Sequence, residues 1–485
     1  MLKLLQQLIS LIHTLWNRLL SLQADNTMLE TTVASRDEEI ALLKALLSKE
    51  QSKQKKNSSN SSKPPSSDKG RKKNKNNRPP SDKPSGAQVG NAGATLKQVD
   101  NPDKEVPHRP KLCDNCGVDV SKAEVIKEEK RQVFDLLPAS IQVTEYQAQT
   151  VLCDNCLCEV KADFPAHVKA PVQYGPHVKA AIVDLNVRHF LSYERIQVFF
   201  KDWLGHRISG GLIYSSLQTA KANLADYEQH VRTKLLAEDV VNSDETGVYV
   251  SGKKSWLHVL CTALLTLYQV HVNRGSQAID DLGILPQYSG VVVHDGYKSY
   301  QTYDNCQHAL CHAHHLRELI YFHEEEQAVW AYQMTIWLRS VKRHRDQLIE
   351  QGTQGFSKHQ IELYRQRYLK IIRQGLSNAP PDPPRKSNRG RAPKHPQRNL
   401  LNRFYNQQQW MLAFIYDFNV PFDNNQAERD LRMIKTKQKV SGTFRSSQGA
   451  DAFATIRGYV STAQKNEQDV LEAIANIFYG EPFMP

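Results

Sequence analysis

Three acidic residues stand out for the chemistry they could do together. Asp244 and Asp295 each close an apolar, strand-like run, and Glu428 lies in the stretch Asp423-Asn424-Asn425-Gln426-Ala427-Glu428-Arg429. Three carboxylates are enough to hold two magnesium ions, hard cations that prefer oxygen ligands. An in-line displacement at phosphorus uses one such ion on the attacking oxygen and one on the leaving oxygen. The 17 residues after Glu428 carry Arg429, Arg432, Lys435, Lys437, Lys439 and Arg445 against the single acid Asp430. Acid to hold metal beside base to hold phosphate points to nucleic-acid chemistry. Acids at strand ends are also ordinary turn residues, and Glu245 competes with Asp244 for the same role, so residue types alone leave the set open.

Such a set needs a scaffold, and the periodicity supplies one. Residues 240–250 (VVNSDETGVYV) and 255–272 (SWLHVLCTALLTLYQVHV) read as successive strands, residues 276–285 as a short helix, and residues 290–294 (GVVVH) as a buried strand ending at Asp295-Gly296. A strand meander, a helix and another strand, with acids on neighbouring strands, is the start of a ribonuclease-H-like layer. From Cys311 onward the pattern is mostly helical, with a Pro-rich basic loop at 380–398, and Glu428 falls on a later helix that runs on through the basic residues. Ahead of the strands, residues 175–238 are helical, with breaks at 189–192 and 205–211. The segments 193–204 and 212–222, joined by GHRISGG, fit a helix-turn-helix presented to a DNA groove and fit plain helical packing equally well.

The N-terminal hundred residues have a different character. Leu5, Ile12, Leu19, Asn26, Val33, Ile40 and Leu47 repeat every seven, with Leu8, Leu15, Leu22, Leu29 and Leu43 three places after their partners. These are the a and d positions of a coiled coil, and the lone Asn26 at a suits a parallel pair, because two amides can bond across the seam. Arg36 at a d position weakens it locally. Residues 51–104 are rich in Ser, Asn, Lys, Pro and Gly and predict a disordered basic linker. Residues 51–83 alone hold eleven Lys/Arg against Asp68 and Asp82, so +9 of the net +12 sits in one tract, which favours nucleic acid over a membrane surface. The apolar N-terminal stretch is broken by Lys3, Gln6, Gln7, His13, Asn17 and Arg18, and fits neither a membrane span nor a signal peptide. A cytoplasmic chain is the expectation.

In a reducing compartment the eight cysteines point to metal rather than disulfides. Cys113-x-x-Cys116 and Cys153-x-x-Cys156, with a strand-like stretch at 132–151 between them, predict four thiolates converging on one structural Zn²⁺, with an elongated hairpin or small β module between the knuckles. Cys158 is a spare. A second cluster comprises Cys306, His308, Cys311, His312, His314, His315 and His323. Cys311 and His314, three apart, are read as structural support beside the acids in preference to a zinc site.

The tract NSSNSSKPPSSD at 57–68, the two knuckles, APVQYGPHVKA at 170–180, the segments SDETG and HDGYKSY, and FDNNQAERDLRMIKTKQKVSGTFRS at 422–446 together resemble the transposases of insertion-sequence family sixty-six, the TnpC type. The resemblance runs through nearly the whole chain in the same order. It implies a DDE transposase whose ribonuclease-H-like core is interrupted by a helical insertion, with Asp244, Asp295 and Glu428 holding two Mg²⁺ or Mn²⁺ ions. It implies a reaction in which water attacks the phosphodiester at an element end and the exposed 3′-hydroxyl then attacks target DNA. Arg429, Arg432 and Lys435 would contact phosphates near the cut end, with Lys437, Arg445 and Arg274 as further candidates. Cys311-x-x-His314 resembles a signature that several such groups place after the second Asp. Where many relatives then have two adjacent arginines, this chain has Leu316-Arg317, so only Arg317 is carried over. Relatives are often encoded beside small accessory proteins.

The resulting division is a dimerising coiled coil at 1–50, the linker at 51–104, a zinc-binding β module at 105–170, a helical DNA-binding region at 171–238, an α/β catalytic domain at 239–465 with a helical insertion at about 325–415, and a helical tail at 466–485. The expected partners are double-stranded DNA (element ends and target) and at least one further copy of the chain, in a bacterial, nucleoid-associated setting. Two rival readings use the same parts. A dimeric zinc-containing DNA-binding regulator would need no catalysis, and a nuclease would cut without joining.

Overall fold

The computed structural model describes Arg18 and residues 97–135, 139–156, 158–165, 168–382 and 394–485. The expected coiled coil and most of the basic linker lie outside the described residues. The chain divides into two compact units, one containing Glu145–Val198 and Ile208–Pro485, the other Lys72–Thr144 and Phe199–Arg207.

In the smaller unit, the last residues assigned to the linker are tied down. Val99 donates its N–H to Gln132 Oε1 at 2.8 Å, and its carbonyl accepts from Gln132 Nε2 at 2.7 Å. The first cysteine knuckle closes when Cys113 N–H reaches the Val118 carbonyl at 2.9 Å and Gly117 N–H reaches the Cys113 carbonyl at 2.8 Å. Gly117 has a φ of +72°, a left-handed conformation that a residue without Cβ adopts at no steric cost.

In the larger unit the second knuckle joins β1 (Thr150–Leu152) to β2 (Glu159–Lys161), paired antiparallel with Val151 opposite Val160. Of the strand-like stretch expected at 132–151, only Thr150 and Val151 are strand among the described residues, as the start of β1. Val133 and Val143 are 88% and 89% exposed. A strand pattern with no apolar face to bury has little to hold it in a sheet.

Helices follow: α1 (Pro176–Val187), α2 (Tyr193–Leu204), α3 (Gly210–Asn223) and α4 (Ala225–Ala237). Their starts carry local signals. Pro176 opens α1, and the Ser209 hydroxyl caps α3 by accepting from Leu212 N–H at 3.1 Å.

Next come β3 (Val240–Val250), β4 (Lys253–Cys261), β5 (Thr266–His271), α5 (Ser276–Leu282), β6 (Val291–His294) and β7 (Gln307–Leu310). They form one sheet in the order β5-β4-β3-β6-β7, in which β3, β4 and β5 are antiparallel and β6 and β7 run parallel to β3. The run expected as one strand at 255–272 is two. Thr262 breaks it, its hydroxyl accepting from the N–H groups of Leu264 and Leu265 at 3.2 and 3.0 Å. The meander-helix-strand order is the mixed α/β core that the periodicity predicted.

After β7 the chain enters α6 (His312–Glu326), α7 (Val329–Glu350), α8 (Lys358–Asn378) and α9 (Pro396–Asn406), then two single turns, α10 (Gln408–Met411) and α11 (Ala413–Tyr416), which return to β7. These helices surround a core of their own that includes Met334, Leu338, Tyr368, Ile372, Leu401 and Phe404. α12 (Asn425–Ser441) then crosses β3 and β4, α13 (Ser447–Lys465) covers the edge strand β5, and α14 (Val470–Tyr479) packs on α1. Gly458 permits the second of these contacts, since a Cβ there would stand 3.1 Å from the Thr266 carbonyl. The helix expected in the last twenty residues is present and packs on the helical layer that precedes the sheet. No helix among the described residues is long and apolar enough to cross a membrane.

Candidate metal centre and its basic flank

β3 and β6 run side by side, with Val240 beside Val291 and Asn242 beside Val293. The pairing ends there, two residues short of Asp244 and of Asp295, which directly follows the last residue of β6. Since side chains alternate along a strand, Asp244 shares a face with Val240 and Asn242. Glu428 arrives on the first turn of α12.

That turn is clamped to β3 by Asn424. The buried Asn424 side chain accepts from Asn242 Nδ2 and donates to the Ser243 carbonyl, both at 2.8 Å, while its backbone N–H reaches Cys311 Sγ at 3.2 Å. One amide thus joins the strand of Asp244, the helix of Glu428 and the start of α6. Sequence reasoning passed over Asn242 and Asn424. The available signal was the Asn-Asn pair just before a helix, where short polar side chains commonly bond neighbouring backbone.

Electrostatics ties the three acids together. The Asp244 carboxyl is pushed well above the usual carboxylate range, first by burial and then by the negative charges of Glu245, Asp295 and Glu428, against a hydrogen bond from Glu245 N–H. Carboxylates suit Mg²⁺ or Mn²⁺ by donor type, but among the described residues the three acids do not bring ligand atoms within 4.8 Å of one another; the group that does joins Glu428 to Cys311 and His314.

Asp244 and Glu245 differ in their partners. Glu245, with a side chain only 1% exposed, accepts at Oε1 from Arg274 Nε and Nη2, both at 2.7 Å, and at Oε2 from the Tyr300 hydroxyl at 2.6 Å. Both oxygens have partners. Among the described residues, Asp244 accepts one hydrogen bond, from the N–H of its neighbour.

A stability prediction follows from the sign of the Asp244 shift. A carboxyl whose folded pKa is raised adds no penalty below the ordinary range near 3.8, and costs stability as pH rises through that range towards the folded value. At neutral pH in chelator, Asp244→Asn is therefore expected to melt higher than wild type by roughly 2–4 °C, equivalent to about 1 kcal/mol. Mg²⁺ should stabilise wild type more than the variant. Thermal melts with and without Mg²⁺ check this; a variant that melts lower than wild type in chelator would contradict the repulsion.

Beyond Glu428, α12 presents bases at helical spacing. Arg432, Lys435 and Lys439 fall on the stripe that begins at Glu428, and all three are exposed, as are Arg429 and Arg445. Lys435 Nζ also donates to the Gly247 carbonyl at 3.1 Å, and Arg429 Nη2 to Gln426 Oε1 at 2.6 Å. Lys437 differs from its expected place among the phosphate contacts. It is 8% exposed, with its ammonium on the Gly442 carbonyl at 3.0 Å and 3.9 Å from the centre of the Phe444 ring, and burial lowers its pKa to about 8. The α-helical period turns it inward. Arg317 is partly buried on α6, and Arg274, besides pairing with Glu245, lies 4.1 Å from the Tyr297 ring centre.

Of the Cys/His cluster, Cys311, His314 and Glu428 come together, each offering one ligand atom within 4.8 Å of the others. His308, His312 and His315 are core residues. Burial lowers the pKa of all three, His312 to about 3, so they are neutral rings among Trp410, Phe414, Phe422 and Phe404. Cys306 is buried on the Tyr303 carbonyl. His323 packs on the Tyr332 ring.

The cysteine knuckles also suit metal. In each, N–H groups of the turn lower the thiol pKa of the first cysteine. Cys116 and then Asn115 do so for Cys113, and Cys156 and then Asn155 for Cys153. Donors aimed at sulfur favour the thiolate, the form that binds zinc.

Fold and site together define a mixed α/β protein in which acids on β3, just past β6 and on the first turn of α12 lie beside a helix carrying exposed bases. Sequence comparison supplies the family. Residues 171–452, more than half of the chain, match the transposase IS66 family, and the chain belongs to that family. Residues 110–156 match the zinc-finger binding domain of transposase IS66, and residues 6–97 match a family of unknown function (DUF6444). No curated protein matches the chain. Among solved structures, a Mos1 transposase paired-end complex with the left transposon end is similar at 15% identity and a TM-score of 0.12, over 30% of this chain and 61% of that one. The chain thus spans about three-fifths of that protein's length.

Proposed function

We propose that this transposase cuts the ends of an insertion sequence and joins the resulting 3′-hydroxyl to target DNA, with Asp244, Asp295 and Glu428 as the metal-holding acids. One arrangement carries the reading: Asp244 lies on β3, Asp295 just past the neighbouring strand β6, and Glu428 on the helix that Asn424 clamps to β3, with the charges of Asp295 and Glu428 both acting on the Asp244 carboxyl. Two bound Mg²⁺ or Mn²⁺ ions would supply Lewis-acid activation of the attacking oxygen and stabilisation of the leaving oxygen.

The remaining work belongs to the chain's own groups. Arg432 and Lys435, one and two turns beyond Glu428, would hold the DNA backbone so that a scissile phosphate faces the acids, with Arg429, Arg445 and Arg317 extending the contact. Phosphate contacts of this kind give affinity and salt dependence more than sequence choice. Glu245, Arg274 and Tyr300 would position Asp244 from behind. Water attacks first and the freed 3′-hydroxyl second, so no covalent intermediate with the protein is expected.

Recognition of the element ends falls to the zinc module and the helices after it. Cys113, Cys116, Cys153 and Cys156 would supply the zinc thiolates. Structural zinc provides much of the folding free energy of such modules, so Cys113→Ser should lose one zinc per chain and bind element ends about tenfold more weakly or worse. Metal analysis and gel-shift titration check this, and an unchanged zinc content would remove the module from the reading.

The deciding experiment incubates the full chain with labelled element ends, target DNA and Mg²⁺ or Mn²⁺. Nicked ends and joined products are expected. Binding with no cleavage would favour a regulator, and cut ends that are never joined would favour a nuclease.

A further inference from the structure

Cys311, His314 and Glu428 form a donor set unlike the three acids. Cys311 precedes α6 as its N-cap, and His314 lies three residues on, so the start of the helix turns both towards the first turn of α12. His314 Nδ1 stands 3.8 Å from Glu428 Oε1, and both atoms are buried without a hydrogen-bond partner among the described residues. Two buried polar atoms left facing each other are costly unless something between them is bonded to both. The third member, Cys311, is fully buried, and burial pushes its thiol up to about 12. Yet its sulfur already accepts a hydrogen bond from Asn424 N–H at 3.2 Å, the kind of outer contact that steadies a metal-bound thiolate.

The chemistry of the set selects among ions. Sulfur, imidazole nitrogen and one carboxylate oxygen are the donors of a three-ligand zinc site with a fourth position left for water, whereas Mg²⁺ takes oxygen. Around a tetrahedral zinc, with bonds of about 2.0–2.3 Å, ligand atoms lie roughly 3.3–3.8 Å apart. The observed spread, within 4.8 Å, needs a small inward movement of side chains.

We infer that Cys311, His314 and Glu428 bind a second Zn²⁺, distinct from the zinc of the cysteine knuckles, through Cys311 Sγ, His314 Nδ1 and Glu428 Oε1. Binding displaces the Cys311 thiol proton to solvent. It holds Glu428 by one oxygen, leaving the other for the acidic centre, and joins α6 to α12 at the point where Asn424 clamps both to β3. The site does not depend on whether Glu428 serves DNA cleavage.

Zinc stoichiometry of the full chain, purified with zinc in the medium and washed with a weak chelator, tests the inference. Wild type is expected to hold two zinc ions per chain, Cys311→Ser and Cys113→Ser one each, and the double variant none. A zinc content that Cys311→Ser leaves unchanged, in a variant whose circular dichroism matches wild type, would overturn the site. A second readout guards against misfolding. The cobalt-loaded chain with Cys113, Cys116, Cys153, Cys156 and Cys158 all changed to Ser should show a sulfur-to-cobalt charge-transfer band that Cys311→Ser removes, and Glu428→Gln added to it should shift the cobalt d–d bands. No charge-transfer band would count against the site. A chain that holds two zincs but cuts no DNA would support this site and refute the proposed reaction.

Discussion

Asp295→Asn is expected to abolish metal-dependent cleavage of element ends while leaving their binding intact. Asp295 follows the last residue of β6, and its charge acts on the Asp244 carboxyl of the neighbouring strand. Its Oδ1 already accepts from Tyr297 N–H at 2.8 Å, a bond that an asparagine side-chain oxygen can keep. The substitution therefore changes charge and metal affinity with little change in shape. Altering an outer partner of a metal ligand typically costs about 10–100-fold, so loss of a direct ligand should cost more than about 100-fold in rate. DNA affinity should hold, because the exposed bases of α12 are untouched. Single-turnover cleavage and gel-shift titration separate the two effects. Cleavage at the wild-type rate would remove Asp295 from the metal set.

The largest stability effect is expected at Arg274. Its guanidinium meets the buried carboxylate of Glu245 and lies against the rings of Tyr297 and Trp256. Burial already pushes the Glu245 carboxyl up, with the charge of Asp295 adding to it, and Arg274 and the Tyr300 hydroxyl oppose that rise. Removing one partner of a buried pair costs about 3–5 kcal/mol. The Arg274 end is 37% exposed and partly screened, so the lower figure of about 2–3 kcal/mol is appropriate here. Arg274→Ala should therefore lower the melting temperature by roughly 5–10 °C. Glu245→Gln in the same chain should recover part of the loss, since it removes the stranded charge. If instead Arg274→Ala melts like wild type and binds DNA more weakly, Arg274 is a phosphate contact, as the sequence reading expected.

These two residues show how much of the site could be read in advance. Asp295 directly follows the buried run 291–294, as expected, whereas Asp244, expected at a strand end, lies in the middle of β3 (Val240–Val250). Glu428 and its bases were legible because they share a helical stripe. Arg274 and Lys437 were not. Both are bases near the acids in sequence order, and nothing local distinguishes a base that faces solvent from one that faces a buried carboxylate or lies under Phe444. Most of the strand-like stretch between the knuckles is not strand for a related reason: alternation predicts a strand only when a second surface exists to bury one face, and Val133 and Val143 are exposed.

From sequence alone came the parts whose physics is local. These are the strand and helix periods, the paired cysteines, the uneven positive charge and the candidate acids. Tertiary structure decided everything that depends on which distant surfaces meet. It engaged Glu245 with Arg274 and Tyr300 and left Asp244 to face the other acids. Through the buried amide of Asn424 it joined β3, α6 and α12. It brought Cys311 and His314 against Glu428, and it folded the last helix back onto the first. Periodicity reports which side of an element is apolar, but the partner for that side is chosen by packing, register and the cost of leaving buried polar groups unpaired, and those terms exist only once the chain has closed on itself.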